Sequence, residues 1–188
     1  MRSTSRAALL ALAVAMCLVT PRSASPRQLQ APSAVEPDVE FVPTPQAVVD
    51  AMLDMARVTA ADVVYDLGSG DGRVVITAAR RYGARGVGVE IDPALVERAT
   101  ASAAAAGVSD RVRFIRGNIF DADISAATVV TLYLLQSLNE RLRPKLVREL
   151  KPGTRIVSHV FSMGPEWPPL QSTVVGGHPV FLWTVAPR

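Results

Sequence analysis

The stretch Val63 to Gly72, reading VVYDLGSGDG, constrains this chain more than any other. An apolar run with β-branched residues ends at an acid, Asp66, and then breaks into three glycines spaced two apart, Gly68, Gly70 and Gly72. A helix-like segment, Arg73 to Tyr82, follows at once. Strand, glycine loop and helix in that order bring bare backbone against a nucleotide-like ligand.

The spacing narrows the ligand. A dinucleotide dehydrogenase needs G-x-G-x-x-G, with its third glycine at position 73. That position holds Arg73, and no Lys-Ser or Lys-Thr follows to make a P-loop. Asp66, just before the loop, would repel a phosphate; it suits loop amides and the amino end of a methionine-like ligand. Glu90 ends the next strand, 24 residues after Asp66. A carboxylate there has oxygens enough to accept both hydroxyls of a ribose. Asp92 beside it reads as a helix cap.

Around this stretch the chain alternates. In FVPTPQAVVDAMLDMARV, Thr44 is placed to cap and Pro45 to open a helix whose apolar face is Val48, Val49, Met52, Leu53 and Ala56. Strands are expected at Val63–Leu67, Gly86–Ile91, Val112–Ile115, Thr128–Tyr133 and Arg155–Val160. Helices are expected at Arg73–Tyr82, Pro93–Ala106 and Leu138–Leu150, the last kinked or restarted at Pro144. Such alternation implies a parallel sheet with helices on both faces. The ending differs: Gln171–Val175 and Val180–Val185, joined by Gly176-Gly177-His178-Pro179, form an antiparallel hairpin. The expected architecture is α/β, a mostly parallel sheet with a C-terminal antiparallel hairpin, an outline that resembles the Rossmann-like class I methyltransferase fold.

Charge narrows the partners. The chain has 20 basic and 17 acidic residues, but Arg2, Arg6 and Arg22 lie in the first 25 residues, which hold no acid. Without those three the balance is even, so nucleic acid is not indicated. The same segment has the layout of a secretory signal: Arg2 and Arg6, an apolar run from Ala7 to Val19, then Ser23, Ala24 and Ser25. Export or a periplasmic location follows, with an uncleaved membrane anchor and an organellar transit peptide as alternatives; cytosolic-side exposure stays open. Membrane contact is expected only through this leader. The domain plan is leader 1–25, flexible linker 26–40 and catalytic domain 41–188. Cys17, the only cysteine, lies in the leader, so disulfides do not identify the compartment.

FVPTP, DVVYDLGSGDGR, GVGVEIDPALV, ATVVTLYLL and RPKLVRELKPGTRIVSHVF together make the chain resemble S-adenosylmethionine-dependent methyltransferases. In particular it resembles the protein-lysine methyltransferases that modify the ATP synthase c-subunit and the adenine nucleotide translocator, over residues 41 to 188. The resemblance implies S-adenosylmethionine as cofactor and a protein substrate with an accessible lysine. It puts Asp66, Gly68, Ser69, Gly70 and Gly72 at the methionine moiety, Glu90 at the ribose and Asn118 with Ile119 beside the adenine, and it includes Ile91 among the cofactor-binding residues. Phe41 and Thr44 complete the cofactor set. Relatives often carry Tyr where Phe41 stands and an acid where Asn118 stands.

The acceptor side is less legible. Methyl transfer is an in-line displacement, so the protein must place the nucleophile and shield the site. A lysine amine, with a pKa of about 10.4, must also lose its proton in a desolvating channel. Thr131-Leu132-Tyr133-Leu134 lacks the Asn/Asp-Pro-Pro-Tyr/Phe signature of enzymes acting on base or amide nitrogens. Tyr133 and His159 are the catalytic candidates, against ordinary packing for each; His178 reads as a turn residue. Phe161, Met163 and Trp167 form either a channel lip or a loop pinned by its aromatics. No set of residues has metal-site spacing. A small-molecule methyltransferase and an inactive cofactor-binding module are the rival functions.

Overall fold

The computed structural model describes residues 41–187. The expected leader and linker lie outside the described residues. Four helices and seven strands follow in order: α1 (Gln46–Met55), β1 (Val63–Leu67), α2 (Arg73–Tyr82), β2 (Arg85–Glu90), α3 (Pro93–Ala105), β3 (Val112–Arg116), β4 (Val129–Leu132), α4 (Gln136–Glu149), β5 (Arg155–His159), β6 (Gln171–Val175) and β7 (His178–Thr184). The strands make one sheet in the order β3-β2-β1-β4-β5-β7-β6. β1 to β5 pair in parallel, and β7 runs antiparallel to both neighbours. This is the expected architecture. The chain order reverses between β1 and β4, where sheets of this kind hold their ligands at the carboxyl ends of the strands.

Both faces are apolar because successive strand side chains point to opposite sides. Val64, Val129, Val157 and Leu182 face α1, α2 and α3. Tyr65, Val130, Ile156 and Trp183 face α4. The helix cover is therefore unequal: three helices on one face, one on the other. On the α4 face the fully buried Ile124 and Met163 come from irregular segments and fill the place of further helices.

Four local expectations are corrected. Thr44 does not cap α1; the cap position is Pro45, without a side-chain bond, because the Thr44 hydroxyl is engaged by His159. α4 starts at Gln136 and runs through Pro144 without restarting. A mid-helix proline costs about 3 kcal/mol, but burying Leu138, Leu142, Leu146 and Leu150 returns roughly 1.5–3 kcal/mol each. The hairpin turn is only Gly176-Gly177, the two-residue length that suits strand twist. His178 belongs to β7, opposite Val175. Edge strand β6 pairs only with β7 among the described residues and is exposed along all but its last residue.

Candidate active site

A cavity of about 670 Å³ opens at the carboxyl ends of β1, β2 and β4. That is ample for a nucleoside-sized ligand. Its walls come from the strap Phe41–Thr44, the loop after β1, the turn after β2, residues 118–120, the end of β4 and α4.

The glycine loop is held from β2. Val89 O accepts from the amides of Gly68 and Ser69, and Glu90 Oε2 accepts from Gly70 N–H at 2.8 Å. Glu90 Oε1 accepts from the amides of Ile91 and Asp92. The loop amides are thus ordered by Val89 and Glu90 rather than by Asp66. A carboxylate offers about four acceptor positions, and the loop and turn amides use three of those on Glu90. Two glycines are required sterically. At Gly70 (φ +52) a Cβ would lie 2.2 Å from the Phe41 ring, and at Gly72 (φ +80) one would lie 2.5 Å from Phe114. The strap is tied to this loop by Arg73, which grips Asp71 with two nitrogens and donates through Nη1 to Thr44 O at 2.8 Å.

Asp66 is buried at the cavity floor, and Thr131 Oγ1 donates to its Oδ1 at 2.6 Å. Burial pushes its carboxyl up to about 7; the Thr131 bond opposes this, and the Glu90 and Asp71 carboxylates add to it. Ser69 Oγ is buried in the same wall and has no partner. An orphaned donor, a raised carboxyl and a glycine floor fit a ligand with a cationic amine and polar oxygens, as S-adenosylmethionine has. Leu132, Tyr133, Leu134 and Leu138 form the apolar wall, with Arg141 stacked on Phe120, its guanidinium carbon 4.4 Å from the ring centre.

Comparison with known proteins agrees. Residues 66–171 match the ANTKMT methyltransferase domain. The chain is 47% identical over 154 residues to a protein-lysine N-methyltransferase of Saccharolobus islandicus, covering 79% of this chain and 95% of that one. The chain belongs to the ANTKMT methyltransferase family. It is also 35% identical to the mouse adenine nucleotide translocase lysine N-methyltransferase, over 77% of this chain and 62% of that enzyme. A solved structure described as an RNA methyltransferase from Salinibacter ruber, in complex with S-adenosyl-L-homocysteine, superposes with a TM-score of 0.77 at 57% identity, covering 78% of this chain and 95% of that one. The chain is an S-adenosylmethionine-dependent methyltransferase.

In this ANTKMT-family domain the sequence-predicted residues divide. Phe41, Thr44, Asp66, Gly68, Ser69, Glu90, Ile91, Asn118, Ile119 and Tyr133 line one cavity. Gly70 and Gly72 are not among its lining residues; they lie against the Phe41 and Phe114 rings. Asn118 turns its Oδ1 back to accept from Phe120 N–H at 2.9 Å. Asp92 caps α3 through Ala94 N–H. His159 is not a cavity residue: it is fully buried, with Nδ1 3.2 Å from Thr44 Oγ1 and Nε2 3.0 Å from His178 Nδ1. Burial, with the charge of His178 adding to it, pushes it down to about 4. The lip reading of Phe161, Met163 and Trp167 is corrected as well. Met163 is core, Trp167 packs on Trp183, and none of the three lines the cavity. Sequence reasoning missed Thr131 and the Asp71–Arg73 clamp. A signal for Thr131 existed: apart from Tyr133 it is the one residue inside VVTLYLL with a polar side-chain atom.

Proposed function

We propose that this methyltransferase modifies lysine side chains of a protein. The observation that carries the reading is the wall made by Leu132, Tyr133, Leu134 and Leu138 beside the polar cradle. An apolar wall favours the neutral form of an amine, which lysine, at a pKa of about 10.4, otherwise scarcely populates at neutral pH. The similarity to lysine methyltransferases supports the same substrate class.

Asp66 holds the amino group of S-adenosylmethionine, Ser69 Oγ takes up one of its polar atoms, and Glu90 accepts from the ribose. Asn118 and Ile119 flank the adenine, and the Phe41 ring closes over the loop. When bound, S-adenosylmethionine supplies the electrophilic methyl group. Tyr133 and the leucines then desolvate the incoming amine, orient it and exclude water. His159 is not the proton acceptor in this scheme, because both its ring nitrogens face protein partners.

RNA is the second reading, favoured by the description of the Salinibacter ruber structure. Incubating the enzyme and radiolabelled cofactor with host extract separates the readings. Label removed by protease but not by ribonuclease supports lysine methylation, and ribonuclease-sensitive label overturns it. Label confined to small molecules overturns both. We further propose that residues 1–25 export or anchor the enzyme, that 26–40 act as linker, and that any membrane contact runs through the leader. Sequencing the N-terminus of the native protein tests this: a start at Met1 removes the cleaved-signal reading.

A further inference from the structure

Behind the cavity, at the carboxyl end of β5, lies a cluster that the methyl-transfer scheme does not use. His159 Nδ1 meets Thr44 Oγ1 at 3.2 Å, and its Nε2 meets His178 Nδ1 at 3.0 Å. A neutral imidazole has one N–H, so one nitrogen donates and the other accepts, and the three residues form a directional chain. The chain touches both walls of the cavity without itself lining the acceptor side. Tyr133 lies against His159 with ring centres 4.0 Å apart. Thr44, at the other end, is also held through its carbonyl by Arg73, the residue that clamps Asp71 in the glycine loop.

The backbone here is held in an uncommon conformation. Val160 has φ +65, and Phe161 N–H donates to His159 O at 2.8 Å, closing a three-residue turn of the rare positive-φ kind. A β-branched residue stays in that region only where its surroundings over-determine it. They do so: Val160 N–H donates to Pro179 O at 2.7 Å. The Phe161 carbonyl accepts from both Ser158 Oγ and Asn139 Nδ2. The turn fixes the end of β5 against His178 and Pro179 of β7, and so fixes the height at which His159 stands.

We propose that His159 and His178 are positioning residues, a hydrogen-bonded chain through Thr44 that couples the β5–β7 end of the sheet to the cofactor cradle and sets the strap and Tyr133 on the two sides of the cavity. The proposal rests on the cofactor cradle and holds whichever acceptor is methylated. Among the described residues, the hydrogen bond and the ring contact of the His178 side chain both go to His159, so its effect on cofactor affinity is the diagnostic.

The test is calorimetry of S-adenosylhomocysteine binding to the full-length chain and its variants, with a thermal melt of each. His178→Phe keeps the ring contact and removes Nδ1; the dissociation constant is expected to rise about fivefold or more, the lower end of measured site-to-site coupling. His178→Asn, which restores a polar atom facing His159, is expected to recover part of that loss. In a Thr44→Val background the chain is already cut, so adding His178→Phe should change affinity by less than about twofold. A merely structural role moves the melt and leaves the dissociation constants alone. Equal affinities for wild type and His178→Phe overturn the proposal, as does a fivefold loss that persists undiminished with Thr44→Val. No binding by the wild-type chain overturns the cofactor assignment and the proposal together.

Discussion

Asp62 and Asp66 stand at opposite ends of β1, both buried, and the fold treats them in opposite ways. Asp62 accepts from Thr59 N–H, Thr59 Oγ1, Thr128 Oγ1 and Arg155 Nη2. Burial works against its charge, but the bonds from Arg155, Thr128 and Thr59 outweigh it and hold the carboxyl down at about 2. Asp66 has one donor, Thr131, and burial holds it up at about 7. The amino end of β1 is thus satisfied within the protein, while its carboxyl end has a buried carboxyl with a single donor, Thr131, beside a buried Ser69 hydroxyl with no partner. Groups completed internally hold the fold together; groups left incomplete await a ligand.

The largest effect that would break this contrast is at the amino end. Asp62→Asn removes the carboxylate that neutralises Arg155, leaving its guanidinium only the Ala56 and Thr128 carbonyls, and should cost about 3 kcal/mol of stability, a fall in Tm of roughly 6–12 °C for a domain of this size. Affinity for S-adenosylhomocysteine should stay at the wild-type value in calorimetry, and a parallel loss of binding would erase the division between the two ends. Asp66→Asn should do the reverse. Loss of a charged partner for the ligand amine weakens binding by about 2–3 kcal/mol, on the order of a hundredfold. The melting temperature at pH 8 should hold or rise, since a buried carboxylate has been removed.

Titration sharpens the comparison. Asp66 has an ordinary pKa of 3.8 and a folded value of about 7, so the folded state binds the extra proton. Its contribution to stability therefore falls as pH rises from about 4 to about 7. Asp62 contributes stability above its ordinary 3.8, and loses it as pH falls through about 2. A cationic ligand amine prefers the Asp66 carboxylate, so affinity should strengthen as pH rises through 7, with a proton released. Calorimetry in buffers of different ionisation heat counts that proton, and a count of zero at pH 6.5 would remove Asp66 from the amine. The smallest effect is Val160→Gly, which relieves the positive φ and should raise stability by up to about 1 kcal/mol. A drop in Tm instead would mean that the Val160 side chain contributes more by packing than its backbone costs.

Much of this was legible in the sequence because it follows from local pattern. β1 and α2 fall where apolar periodicity puts them, and the interval from Asp66 to Glu90 is one strand–helix–strand unit. What was hidden depends on pairing between distant segments. Thr44 has the spacing of a helix cap, and only its partner 115 residues away shows why it does not act as one. His178 looks like a turn residue until the register of β6 and β7 puts it in a strand beside His159. Residues 160–170 have no periodicity, so nothing in their order distinguished a channel lip from core filling by Met163 and Trp167.

The exposed edge of the sheet has a consequence of its own. Leu170 and Val174 are 73% and 66% exposed, and they border a strand whose outer backbone groups have no partner strand among the described residues. Such an edge is a template on which a further strand can pair, and sedimentation of concentrated enzyme tests whether a second molecule supplies it. Thr173→Lys would blunt that edge while leaving both ends of β1 untouched.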